Sequence, residues 1–179
     1  FAQGLVQPGR PVTTVKQPGA PGIGHQWSYL PDVARALALL LERRAELPAL
    51  ARFHLAGHWD ADGTQMAAAI GRAVVAQGGQ APRVRAFPWW LVTLASPFVT
   101  TLREMREMRY LWQQPVRMAN ERLRAVLGEE PHTPLDEAVQ ATLQGLGCLP
   151  SSAGYSDSPH AARATTPPET PQSPARLPA

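Results

Sequence analysis

The chain of 179 residues has a single cysteine, a single lysine and no long apolar run. The lone Cys148 excludes an intramolecular disulfide and slightly favours a reducing compartment. The longest apolar run, Ala36 to Leu41, is far shorter than the roughly 20 residues that a membrane span needs. The formal charge is only +3 and the arginines are scattered, which is not typical of a nucleic-acid-binding protein. We therefore expect a cytoplasmic protein with neither a membrane nor a nucleic acid as its partner.

Proline and glycine divide the chain into three parts. Residues 1–30 have one or the other every few positions, and only the β-branched run Pro11 to Val15 predicts a strand there. Residues 31–149 show strong apolar periodicity. Residues 150–179 are rich in Pro, Ser, Thr and Ala and have too little apolar surface to offset the entropy of ordering. These features predict one domain, 1–149, and a disordered tail, 150–179.

Two features concern the origin of the chain. It begins at Phe1 with neither an initiator Met nor the residue order of a signal peptide, so we expect it to start inside a larger protein. Almost all basic residues are Arg and Ala is abundant, which suggests GC-rich and hence bacterial coding.

The first periodic segment predicts a helix that begins at Pro31. The fixed φ of proline suits a first helical position, and Asp32 places a carboxylate at the positive end of the helix dipole. One apolar stripe follows, at Val33, Leu37, Leu40 and Leu41. Pro48 ends this helical region. The stretch "ARFHLAG", residues 51–57, then alternates apolar and polar side chains and predicts a short strand closed by Gly57.

A second helix is predicted from Thr64 to Gln77, with three residues on its inner face, Met66, Ile70 and Val74, and with "GG" as its end. The stretch "RVRAF", residues 83–87, predicts a further strand. The order helix, strand, helix, strand is typical of an α/β domain.

The stretch from Phe87 to Trp112 predicts two helices of different character. "FPWWLVTLASPF" is apolar all round, which predicts a buried helix, and "VTTLREMREMRYLW" is amphipathic, which predicts a half-exposed one. Within "REMREMR", Arg103 faces Glu107 at i+4, which favours a solvated face.

Two helices are predicted after this stretch. Asn120 is a candidate N-cap for a short helix that runs through Val126 and stops at Gly128. The last helix has three start signals: Thr133 as a cap, Pro134 at the first helical position and Asp136 as a capping-box acid. Gly145 or Gly147 ends it.

Two motifs resemble functional ones but lack the spacing that the function needs. "GAPGIG" places three glycines, Gly19, Gly22 and Gly24, in a form similar to a phosphate-binding loop. Such a loop requires a helix directly after it, and here the predicted helix begins seven residues later. "HLAGHWDAD" brings together His54, His58, Asp60 and Asp62, but the two histidines would share a face only on a helix. A turn leading to a helix cap is the simpler interpretation, and no metal site is predicted.

Cys148 has no partner arrangement for nucleophilic catalysis and lies near a frayed end, so a structural or incidental role is expected. No catalytic constellation stands out in the chain.

Three stretches, taken in order, resemble a known family: "GHQWSYLPDVARALALLLE", "RFHLAGHWDADGTQMAAAIGRAV" and "NERLRAVLGEEPHTPLDEAVQATL". Together they resemble the C-terminal half of the NAD-dependent epimerase/dehydratase family, the extended short-chain dehydrogenases. The resemblance covers roughly residues 1–149. It implies an α/β fold, namely the C-terminal part of an extended Rossmann-type dehydrogenase, mostly helical with a few short strands.

The resemblance also implies NAD or NADP as cofactor, bound by an N-terminal glycine loop, and a Tyr-x-x-x-Lys pair for proton transfer. Neither motif is in this chain, because no tyrosine is followed by a lysine four positions on. The chain thus resembles the substrate-binding part of an NAD(P)-dependent epimerase/dehydratase or reductase, inactive by itself and without catalytic residues. The substrate class is a sugar nucleotide or another hydroxy or keto compound. A homodimer through family-type helices also fits the resemblance.

By the same resemblance, His25, Trp27 and Tyr29 alternate on one strand face that lines the substrate cleft, and Arg117 contributes a cation. His25 and Gln26 stand where many sugar-nucleotide enzymes of the family have an Arg suited to phosphate, so the sequence does not favour a diphosphate sugar. The apolar "FPWWLVTLASPF" also fits a less polar substrate or a lid. Two other functions stay open: a non-catalytic NAD(P)-binding regulator or scaffold of the same fold, and an independent helical binding module.

Overall fold

The structure of the chain, a computed structural model, describes residues 5–150, and the tail predicted to be disordered lies outside them except for Pro150. The described residues form a mixed α/β unit with four short strands and six α-helices. The strands are β1 (Thr14–Gln17), β2 (His25–Trp27), β3 (His58–Asp60) and β4 (Arg83–Ala86). The helices are α1 (Leu30–Glu42), α2 (Gln65–Ala76), α3 (Trp89–Ala95), α4 (Thr100–Glu107), α5 (Glu121–Leu127) and α6 (Leu135–Gly145).

The strands form two separate two-stranded sheets. β1 and β4 pair in parallel, with Val15 opposite Val84. β2 and β3 pair antiparallel, with Trp27 opposite His58. A parallel pair needs a long crossover connection, and here that connection carries β2, α1, β3 and α2.

The core lies where α2 meets α6 and β1. Ile70, Leu143 and Val15, one from each element, are fully buried there. The apolar spacing of α2 turns Met66, Ile70 and Val74 to the same side, as predicted, and all three are buried. The N-terminal segment closes the core from the other side with Leu5, Val6 and Val12, together with Cys148 and Leu149 from the end of the described chain.

Several boundaries confirm the sequence predictions within one or two residues. α2 and β4 lie where they were expected, and α1 begins at Leu30 with Pro31 in its first turn. α5 follows Asn120 directly and Gly128 stands at its end, but the side chain of Asn120 does not cap the helix, because its amide donates to Glu130 instead. The stretch Phe87 to Trp112 does form two helices, followed by a 3₁₀ turn at Met108–Trp112. None of the described helices has the length and apolarity that a bilayer crossing requires.

The prediction of a strand at residues 51–57 is wrong. This segment has no ladder partner, and the strand β3 begins only after it, at His58. The reason is that its backbone groups bond to side chains instead: Glu130 accepts from Ala56 N and Gly57 N, and Gln26 donates to the carbonyl of Leu55. Side-chain partners can satisfy an extended segment as well as a neighbouring strand can.

The strand predicted at Pro11 to Val15 lies three residues later, at β1. In the same part of the chain, His25–Trp27 forms β2. The distribution of proline and glycine had predicted a loop at these residues, whereas the family resemblance had implied a strand. Tyr29 lies outside β2 and stands before the first turn of α1. The three aromatic positions therefore do not share one strand.

The apolar stripe expected on α1 is only partly covered. Val33 and Leu40 are half-buried, while Leu37 and Leu41 are exposed. The fully buried residues of α1 are Asp32 and Ala36, and Asp32 binds Thr133 from the first turn.

The prediction that "FPWWLVTLASPF" forms a buried helix is also wrong. Only Val92 of α3 is buried, while Trp90 and Leu94 are exposed. In α4 the half-exposed face was predicted correctly: Leu102 and Met105 are partly buried, and the charged residues between them are exposed.

Two expectations about the last helix fail because the side chains that were expected to cap it bond to other helices. α6 begins at Leu135, after Pro134, and Thr133 does not cap it because its hydroxyl bonds to Asp32. Asp136 binds Arg72 across the α2–α6 contact instead of completing a capping box. Cys148, expected in a frayed end, is buried in the core with its Sγ 3.3 Å from the carbonyl of Gln7.

Candidate functional site

A cleft of about 490 Å³ opens between the end of β2, the start of α1 and one face of α6. Its lining is mainly apolar, as in most small-molecule sites. The lining residues are Trp27, Ser28, Tyr29, Leu30, Pro31, His58, Met66, Leu135, Ala138, Val139, Ala141 and Thr142. On α6 the wall is formed by positions three or four apart, and two of these are alanines, which leave room between the helix and the aromatic residues.

Two residues of the cleft lining each have a buried side-chain nitrogen with no hydrogen-bond partner among residues 5–150. These nitrogens are Nε1 of Trp27 and Nε2 of His58. Burial lowers the pKa of His58, and the ring of His132, 4.4 Å away between centroids, lowers it further. His58 is therefore neutral at pH 7. An indole N–H is only a donor, so Trp27 has a buried donor without an acceptor next to a neutral imidazole.

A carboxylate fixes the rim of the cleft. Asp32, in the first turn of α1, accepts hydrogen bonds from Thr133 N and Thr133 Oγ1, both at 2.8 Å, and pairs with Arg35. Although burial raises the pKa of Asp32, the hydrogen bonds from Thr133 and Arg35 outweigh it and lower the pKa. The approach to α6 is thereby held against the start of α1, and the width of the cleft is set by this contact.

A second carboxylate holds the segment before β3. Glu130 accepts from Ala56 N at 2.8 Å, from Gly57 N at 2.7 Å and from the side-chain amide of Asn120 at 2.7 Å. Its contacts position the backbone just before His58, and so determine where that ring stands in the cleft.

An amide side chain completes this support. Gln26, in the middle of β2, donates to the carbonyls of Leu55 and Ala56 and exchanges two hydrogen bonds with the backbone of Met118. Neither Gln26 nor Glu130 was predicted, because a polar residue in an extended run gives no sequence signal for the loop that it will bind.

The structure places two of the four predicted binding residues at the cleft. Trp27 and Tyr29 line it, while His25 and Arg117 do not. His25 is buried at the start of β2, away from the cleft, and packs edge-on against Trp112 at 4.9 Å between ring centroids. Burial lowers its pKa, and the charge of Asp60 partly offsets this. Arg117 is exposed and lies over the ring of Trp59, 5.4 Å from its centroid.

His58 is the residue that sequence reasoning missed at this cleft. It was weighed only as a metal ligand, together with His54, Asp60 and Asp62. Among the described residues no group of three His, Cys, Asp or Glu side chains is arranged to hold a metal ion. Asp62 instead bonds to N and Oγ1 of Thr64, and Asp60 Oδ2 accepts from Met66 N, which confirms the interpretation as a turn leading into α2.

The glycine-rich stretch before β2 does not fit a dinucleotide. A Cβ at Gly19 would overlap the ring of His25, and one at Gly24 would overlap the ring of Trp59. The space beside both glycines is thus filled by aromatic side chains. The stretch leads into β2 and not into a helix N-terminus, so its backbone N–H groups do not converge on a phosphate position. No step involving NAD or NADP can be assigned to these residues.

Comparison with family models, with curated protein sequences and with solved structures gave no match for this chain. The fold and the site define a mixed α/β unit with a mainly apolar cleft.

Proposed function

We propose that the chain is the substrate-binding part of an NAD(P)-dependent epimerase/dehydratase or reductase, and that the cleft lined by Trp27, Tyr29 and His58 holds the substrate. The observation that carries the proposal is the mainly apolar cleft of about 490 Å³, whose lining includes two hydroxyl-bearing residues, Ser28 and Tyr29. An apolar cleft with a few well-placed polar groups is the usual form of a small-molecule site. A ligand carbonyl or hydroxyl oxygen would accept from these hydroxyls, and it would reach the unpartnered Nε1 of Trp27 only after the indole turns toward the cleft.

The chemistry of the lining favours an uncharged hydroxy or keto substrate over a sugar nucleotide. No arginine or lysine lines the cleft, and His58 is neutral at pH 7. A diphosphate needs cations, and Arg gives the best bidentate contact. The guanidinium of Arg117 lies over the ring of Trp59, and Arg117 is not among the residues that line the cleft.

The parallel pair β1–β4 supports the enzyme class. Parallel sheets occur almost only in α/β proteins, where helices cover both faces. All four residues of β4 are exposed, and Val84 is among them. A pair of this kind is suited to be part of a larger doubly wound sheet, in which further strands bind the cofactor. In this proposal NAD or NADP is held by such strands and not by residues 5–150.

The cleft is tested by titrating the full chain with an uncharged hydroxyketone, 2-hydroxycyclohexanone, and with UDP-glucose, while following the indole N–H signals by NMR. The signal of Trp27, assigned through Trp27→Phe, should shift with the hydroxyketone and stay in place with UDP-glucose. Ala141→Leu, a substitution at an exposed wall position of α6, should fill the cleft and suppress the shift. If neither compound moves the Trp27 signal, the cleft is not the substrate site.

The enzyme class is tested separately by the reading frame upstream of Phe1. A glycine loop and an intact Tyr-x-x-x-Lys pair should be encoded there, and the longer chain should bind NADH. A glycine loop without the Tyr-x-x-x-Lys pair would favour the regulator or scaffold. If no glycine loop is encoded upstream, the enzyme assignment fails.

A further inference from the structure

A second cleft, of about 530 Å³, lies beside the parallel pair β1–β4. One wall is the segment that begins at Leu5, whose carbonyl accepts from Lys16 N at 3.0 Å, and the opposite wall includes Thr14, Lys16 and Arg85 from the two strands. This cleft shares no lining residue with the proposed substrate cleft. We call it the β1 cleft.

Two cations line the β1 cleft at matched positions. Lys16 and Arg85 are direct partners in the parallel register of β1 and β4. Because side chains alternate along a strand, both point away from the side on which Val15 enters the core. Neighbouring strands lie about 5 Å apart, so two side chains from partner positions can reach one small group between them.

The described part of the chain supplies no counter-ion for these two side chains. Its ion pairs join Arg35 to Asp32 and Arg72 to Asp136, and no Asp or Glu of residues 5–150 lines the β1 cleft. Like charges directly opposite each other in a sheet are destabilising. An anion bound from outside would turn this repulsion into attraction.

We propose that the β1 cleft binds a small phosphate monoester, with the phosphate group between Lys16 and Arg85. A phosphate monoester carries close to two negative charges at pH 7, because its second pKa is about 6, and this matches the two cations. The planar guanidinium of Arg85 suits bidentate contact with two phosphate oxygens, and the ammonium of Lys16 acts as a point charge. Thr14 lies on the same strand face as Lys16 and adds a hydroxyl donor.

The number of charges favours a phosphate monoester over a carboxylate. A carboxylate carries one negative charge and leaves one of the two opposed cations without a partner. The volume of the cleft leaves room for a body of hexose size beside the phosphate group. Gln7 and Pro8 also line the cleft, so such a body would meet both an amide and an apolar ring.

The test uses the fact that Lys16 is the only lysine of the chain. Labelling the full chain with lysine that carries ¹³C at the ε position gives one lysine NMR signal, which needs no assignment. Titration with glucose 6-phosphate should shift this signal to saturation, and glucose, its uncharged counterpart, should leave it in place. Gluconate, with one negative charge, should bind at least about fivefold more weakly than glucose 6-phosphate. Added salt should weaken the binding of glucose 6-phosphate.

Arg85→Gln tests the second cation through the same Lys16 signal. The affinity for glucose 6-phosphate should fall by about fivefold or more, because one of the two opposed charges is removed. The matched control is Arg52→Gln, which removes an exposed arginine outside the β1 cleft and lowers the net charge equally. It should leave the affinity within about twofold. Without ligand, Arg85→Gln should unfold at the parent's temperature or above it, since a like-charge opposition is relieved.

Three results would overturn the proposal. Glucose 6-phosphate leaves the Lys16 signal in place; glucose shifts it as much as glucose 6-phosphate does; or Arg85→Gln binds glucose 6-phosphate as tightly as the parent chain. Each result is measured at Lys16 and none at Trp27, so failure of the β1 cleft and failure of the proposed substrate cleft are told apart.

Discussion

α2 and α3 are both apolar helices, yet one forms the core and the other leaves its large side chains in solvent. In α2 the apolar residues fall on one side, and α6 and β1 meet that side. In α3 tryptophan, leucine and valine surround the helix, and α4 covers only a part of it. The apolar content of a helix therefore shows that it needs a packing partner. The spacing of the apolar residues decides whether they all face the partner that the described residues supply.

The largest effect should come from truncating a residue in each of the two helices, an isoleucine in α2 and a leucine of the same size in α3. Ile70→Ala leaves a cavity in a fully buried position and should lower the free energy of unfolding by about 2–5 kcal/mol. Leu94→Ala, at a position 68% exposed, should change it by less than about 0.5 kcal/mol. Urea unfolding followed by circular dichroism measures both. Equal losses would mean that α3 is buried in solution and that the comparison is wrong.

A substitution in a segment that is held by polar contacts should lower the free energy of unfolding by an intermediate amount. Glu130→Gln keeps the size of the side chain but removes the charge that two backbone N–H groups and Asn120 share. We expect a loss of about 1–3 kcal/mol, because at least one partly buried donor is left without an acceptor. The matched control Glu129→Gln, at an exposed neighbouring position, should have little effect. Equal values for the two variants would show that the 51–57 segment is not held by Glu130.

The same segment shows where sequence reasoning succeeds and fails. α2 was located from its spacing because burial on one side leaves a periodic signal in the sequence. Residues 51–57 alternate like a strand, but their hydrogen-bond partners, Gln26 and Glu130, are far away in the chain. Nothing local in the sequence distinguishes a strand from an extended segment bound by distant side chains. The cleft followed the same rule: Trp27 and Tyr29 were expected at a cleft only through the family resemblance, and His58 was not expected there, because Glu130, which is distant in sequence, positions the backbone just before it.

pH should affect the packed side of the molecule and not the α3–α4 hairpin. Burial lowers the pKa values of His25 and His58 below the ordinary value of 6.5, so the folded state binds fewer protons there than the unfolded state. Stability should therefore be complete above about pH 6.5 and fall as the pH drops below it. The loss should extend below pH 4, where Asp32 also becomes protonated, because its folded pKa is lowered and its contribution is lost only on acidification.

Thermal unfolding at about pH 7.5, 6.5, 5.5 and 4.5 measures this dependence. A single group with a shifted pKa changes the stability over a range of about one pH unit on either side of that pKa, so the four values cover the titration of the two histidines. Residues 83–118 have no histidine, so the hairpin offers no group that titrates between pH 5 and 7. His58→Gln should flatten the profile between pH 7 and 5, whereas His54→Gln, at an exposed position, should not. A profile that is already flat in the parent chain would show that the pKa values of His25 and His58 are the same in the folded and unfolded states.

The smallest effect should come from the exposed ion pair that joins α2 to α6. Arg72 binds both carboxylate oxygens of Asp136, and this pairing raises the pKa of Arg72, but both side chains are more than half exposed. Exposed pairs contribute about 0–1 kcal/mol, because solvent screens the charges and ordering two long side chains costs entropy. Arg72→Gln and Asp136→Asn, singly and together, should give a coupling energy within that range in urea unfolding. A coupling as large as the loss at Ile70 would mean that charge, and not apolar spacing, joins α2 to α6, and the distinction drawn between α2 and α3 would then lose its physical basis.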